Sequence, residues 1–93
     1  MRRFLIERDI PGAGRMGREQ LCQAAQKSNE VLHKLGPDVQ WIQSYVGGDK
    51  IFCVYMANDE KMVHEHARLS GFPANRVIEI PTVIDPTTAQ SAV

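Results

Sequence analysis

Apolar and polar positions alternate, then recur every three or four residues, then alternate again, and each change of period marks an element boundary. From Arg3 to Ile10 the chain reads as a strand, with Phe4 and Ile6 on one face and Leu5, Glu7 and Asp9 on the other. Pro11-Gly12-Ala13-Gly14 ends it, because proline donates no ladder hydrogen bond and glycine frees the backbone. From about Gly17 to Leu35 the residues Leu21, Ala24, Ala25, Ser28, Leu32 and Leu35 share one helical stripe, while most of the polar residues lie elsewhere. Gly36-Pro37 stops that helix, a C-terminal glycine followed by a residue that cannot continue the ladder.

Val39 to Met56 holds two runs rich in β-branched and aromatic residues around Gly47-Gly48-Asp49-Lys50, a hairpin signal. A two-residue turn at Gly48-Asp49 sets Trp41, Gln43 and Tyr45 beside Phe52, Val54 and Met56. The opposite face then carries Ile42, Ser44, Val46, Ile51, Cys53 and Tyr55. Asn58-Asp59-Glu60 offers a capping side chain and acids at a helix start, and the helix is expected to run to about Ser70 and end at Gly71. A last strand is expected over Arg76 to Ile84, with Ile78, Ile80 and Ile84 on one face and Val77, Glu79, Pro81 and Val83 on the other.

The order strand, helix, strand, strand, helix, strand predicts a ferredoxin-like α+β sandwich, with two helices on one face of a four-stranded antiparallel sheet. A single domain over residues 1–85 and a mobile tail over 86–93 are expected. The strands are apolar on both faces, so the uncovered face is expected to bury itself in a homodimer.

Composition narrows the partners. The net charge is +0, so the chain lacks the basic field that steers proteins onto phosphate backbones, and nucleic acid is not expected. No apolar run approaches the ~20 residues that span a bilayer, and the short apolar stretch after Arg2-Arg3 is no signal peptide. Cys22 and Cys53 make neither a disulfide framework nor a metal knuckle, which points to a cytoplasmic protein with reduced thiols.

The chemistry-bearing residues are few. His64 and His66 are two apart, which turns them away from each other and excludes a zinc-protease helix. His64 falls on a solvated surface. His66 falls on the apolar side, either as a core histidine with one satisfied hydrogen bond or as a metal ligand or proton carrier. Cys53, in mid-strand, is either an inert small hydrophobe or a soft ligand for a transition metal. Glu7, Asp9 and Glu79 reach the open side if the isoleucine row faces the helices, where they can bind a cation, act as bases or ring an interface. No nucleophile elbow, phosphate-cradling loop or dinucleotide fingerprint is present.

Several blocks together resemble a family of small bacterial domains, long without an assigned function and described as nickel-binding proteins. The blocks are Ile6 to Gly14, Trp41 with Ser44-Tyr45-Val46, Lys50 with Cys53-Val54-Tyr55, Glu65 to Arg68 with Gly71-Phe72-Pro73, and Val83 to Pro86. They cover residues 4 to about 88; Met16-Gly17-Arg18 departs from the threonine-proline start expected of the first helix. The resemblance implies a ferredoxin-like fold, a homodimer and binding of Ni²⁺. Within the matching blocks, His66 and Cys53, with Glu7, Asp9 and Tyr45 as oxygen donors, are the candidate ligands. Such a mixed set also suits Cu²⁺ or Zn²⁺. The leading reading is a non-catalytic nickel-binding protein that buffers or senses the metal. The alternatives are a small dimeric enzyme of the oxygenase or isomerase type and a protein-interaction module.

Overall fold

The computed structural model describes residues 1–91. The elements are β1 (Arg2–Asp9), a 3-10 turn (Ala13–Arg15), α1 (Arg18–Leu35), β2 (Val39–Val46), β3 (Lys50–Ala57), α2 (Glu60–Ser70), β4 (Arg76–Ile80) and a second 3-10 turn (Pro86–Ser91). The strands form one antiparallel sheet in the order β2-β3-β1-β4, which is the ferredoxin-like arrangement. Positions 92 and 93 of the expected mobile tail lie outside the described residues.

Both helices end where the sequence punctuates them. Asp59 accepts from the Met62 N–H at 3.1 Å at the start of α2. Gly36 and Gly71 close α1 and α2 at φ 83° and 80°, a backbone state that side chains rarely adopt. The core between helices and sheet is built from Phe4, Ile6, Val39, Cys53, Tyr55, Ala57 and Val63. Each large side chain fully buried there contributes about 1.5–3 kcal/mol.

The hairpin reverses at Gly48-Asp49 as expected, with Gly47 N–H donating to the Lys50 carbonyl at 2.8 Å. Near the turn the register matches the expectation, Tyr45 opposite Phe52 and Val46 opposite Ile51. Farther along it does not. A bulge between Trp41 and Gln43 inserts one residue, so Trp41 pairs with Tyr55 on the helix side and Ile42 is exposed. Alternation alone cannot locate an inserted residue, because the bulge resets the parity of everything beyond it.

β4 also corrects the reading. It stops at Ile80, before Pro81, and Ile84 is exposed. Ile78 pairs with Leu5, and Ile80 with Arg3, on the open face; Val77 and Glu79 pair with Ile6 and Phe4 on the helix side. Glu79 therefore does not join Glu7 and Asp9; it lies 3.7 Å from Arg2 instead. The reason is that both sheet faces are apolar, so a row of isoleucines fits either. Leu5, Phe52, Val54, Met56, Ile78 and Ile80 remain only partly buried on the uncovered face.

Candidate functional site

The strict alternation of β1 that buries Phe4 and Ile6 also turns Arg8 inward, where it is only 2% exposed. Its Nε donates to Cys53 Sγ at 3.4 Å and its Nη1 to the Pro73 carbonyl at 2.8 Å. Its buried Nη2 has no partner. Among the described residues, no ion pair involves Arg8. The guanidinium stands 5.7 Å from the Phe72 ring centre and 6.0 Å from that of Tyr55. Such cation–π contacts contribute about 0.5–2 kcal/mol, less than the several kcal/mol that burying an unpaired charge costs.

Beside Arg8, three side chains form a chain of contacts. Tyr55 OH lies 3.3 Å from Ser28 Oγ, and Ser28 Oγ lies 3.1 Å from His66 Nε2. Burial pushes the His66 imidazole down to about 4, the Arg8 charge acts in the same direction, and the Ser28 contact partly opposes them. His66 is therefore neutral at pH 7, with its buried Nδ1 lacking a partner. Burial likewise raises the Tyr55 phenol above its usual range, against the opposing effects of Ser28 and Arg8. Next to this group opens a cavity of about 490 Å³, lined by Arg8, Ser28, Trp41, Cys53, Tyr55 and Phe72 together with apolar residues of α1 and β2. His66 is not in its wall; it backs Ser28 and Tyr55 from α2.

A second cluster occupies the open face. Lys50 Nζ lies 2.9 Å from Glu7 Oε2 and 2.8 Å from Asp9 Oδ1, and these contacts, Asp9 first, raise the Lys50 ammonium above its ordinary value. Tyr45 is exposed on the same face and is separated from Glu7 by Phe52, which pairs with both. Its hydroxyl accepts from the Gln43 side-chain amide. On the outer side of α2, His64 Nε2 meets Glu60 Oε2 at 3.1 Å.

The five candidate ligands thus divide between two layers. His66 and Cys53 lie between helices and sheet, Glu7 and Asp9 lie together on the far face, and Tyr45 stands apart from them. Among the described residues, no group of three or more His, Cys, Asp or Glu side chains converges as a metal centre. Sequence reasoning passed over Arg8, although Phe4, Ile6 and Arg8 fall on one alternating row. It also passed over Ser28 as the link between α1 and α2; a lone serine in an apolar stripe is the signal that marks it.

A profile of the family described as nickel responsive protein, SCO4226-like, matches residues 4–80. The chain belongs to that family. The crystal structure of SCO4226 from Streptomyces coelicolor A3(2) superposes with a TM-score of 0.75 at 20% sequence identity, covering 88% of this chain and 99% of that one. At that identity the likeness shows the shared fold. None of the curated proteins matches this chain. Among the described residues, no helix of this family member is long and apolar enough to cross a membrane.

Proposed function

We propose that this protein binds Ni²⁺ without catalysis, as a buffer or sensor, and works as a homodimer joined through the open sheet face. Membership of a nickel-responsive family supports the metal, and the apolar row Leu5, Val54 and Ile78 supports the interface. The observation that carries the location is the Glu7–Asp9 pair, which already clasps one cation, the Lys50 ammonium. A divalent ion takes that place by displacing Lys50 and gaining two carboxylate oxygens. One chain supplies too few ligands to close the site, whereas an isologous dimer presents each carboxylate pair to its partner's surface.

Calorimetric titration of untagged, metal-free protein with Ni²⁺ tests this. Glu7→Gln/Asp9→Asn should abolish binding, and Lys50→Met should tighten it several-fold by removing the competing ammonium. Binding that survives the double substitution but disappears with His64→Gln would move the metal to the outside of α2. No binding beyond that of a histidine-free control would end the reading. The cavity favours a second reading, a small enzyme of the oxygenase or isomerase type acting on a ligand held beside Tyr55. Turnover that persists after chelation of all metal would favour it over the first.

A further inference from the structure

We infer that the cavity between α1 and the sheet is a binding site for a small organic carboxylate with an apolar body, with Arg8 as its anchor. This reading is independent of the metal. Its first support is the unbalanced charge. Arg8 is 2% exposed, its Nη2 is buried without a partner, and none of the ion pairs among the described residues includes it. A guanidinium cannot shed its proton to escape this environment, as a lysine or histidine would. Its remaining contacts are the Cys53 sulfur, one carbonyl and two aromatic rings, and no carboxylate is among them.

The second support is the space in front of it. About 490 Å³ is the size of a small-molecule pocket, and Ile10, Met16, Leu21, Trp41, Ile51 and Phe72 give it an apolar wall. Val46 lines it while remaining exposed, so the cavity reaches the surface. Ser28 and Tyr55 add hydroxyls to the same wall, and whichever of the pair does not donate to the other can donate to a second carboxylate oxygen. One buried cation among hydrocarbon suits a singly charged head on an apolar body. Inorganic phosphate, with its higher charge and greater demand for donors, suits it poorly. The His66–Ser28 contact holds Ser28 from behind, and neutral His66 adds no second positive charge behind the wall.

The fold provides its own reporter, because Trp41 is the single tryptophan and lines the cavity. Metal-free protein in chelator is titrated with phenylacetate and octanoate, with phenylacetamide and octanol as neutral counterparts, and with inorganic phosphate, while Trp41 fluorescence is followed. The carboxylates should change the emission saturably and bind at least tenfold tighter than their neutral counterparts. Arg8→Met, which keeps the length and removes the charge, should erase that preference while circular dichroism stays unchanged. If Arg8→Met does not fold, Ala24→Leu and Ala25→Leu fill the cavity from α1 with Arg8 intact and should abolish binding. Equal affinity for acid and neutral counterpart, stronger binding of phosphate than of the carboxylates, or carboxylate binding unaffected by these substitutions would overturn the inference.

Discussion

His66 offers a direct measure of how strongly the layer between helices and sheet excludes water. In the unfolded chain its imidazole titrates near 6.5; in the folded protein burial first, and the Arg8 charge after it, hold it at about 4. Between these values the unfolded state binds more protons than the native state, so stability rises with pH from about 4 to about 6.5 and levels off above. The interval is about 2.5 pH units, and at ~1.4 kcal/mol per unit the full effect is about 3 kcal/mol. At pH 5 the unfolded imidazole is almost wholly protonated and the native one only about one-tenth so. His66 therefore removes about 2 kcal/mol of stability between pH 7 and pH 5. The groups facing it are Ser28 of α1, Tyr55 of β3 and Arg8 of β1, and none of these is a carboxylate or a second imidazole.

His66→Gln keeps a side-chain amide that can reach Ser28 and takes up no proton. Urea unfolding of both proteins at pH 7 and pH 5 isolates the effect, because the two proteins differ only at position 66. Wild type should lose about 2 kcal/mol more than the variant on acidification. Parallel losses would refute the reasoning, as would an NMR titration of the His66 ring with its midpoint near 6.5.

Two other perturbations test the frame that holds the sites. Gly14→Ala would place a Cβ 2.9 Å from the Gly47 carbonyl oxygen and 3.1 Å from Gly48 Cα, both backbone atoms, so the loop after β1 must part from the hairpin turn. A loss of about 1–3 kcal/mol is expected in thermal unfolding, and an unchanged midpoint would reject that account. Val54→Glu puts a charge in the middle of the open sheet face, where Leu5 and Gln43 flank it. Light scattering after size exclusion should then find a monomer with its circular dichroism intact; a retained dimer would place the interface elsewhere.

The candidate site was only half legible. Glu7 and Asp9 share a face because strand parity places residues two apart on the same side, and no distant residue can alter that. Cys53 and His66 fell on apolar rows for the same kind of local reason, and both are buried. What escaped was the company they keep. Cys53 receives a hydrogen bond from Arg8, 45 positions away, and His66 meets Ser28, 38 positions away. Tyr45 and the carboxylates share a face, yet Phe52 stands between them because β3 lies between β2 and β1.

By itself the sequence determined the order of the elements, both helix ends, the hairpin turn and the pairing next to it, since each depends on residues within one or two turns of chain. It also determined that both faces of the sheet would be apolar. Only the tertiary structure decided which face the β4 isoleucines take, where the bulge flips Trp41 inward, and that Arg8 lies buried beside a cavity with no acid to match it. Those outcomes depend on pairing and packing between segments far apart in the chain, and a period read along one segment carries no information about its partner.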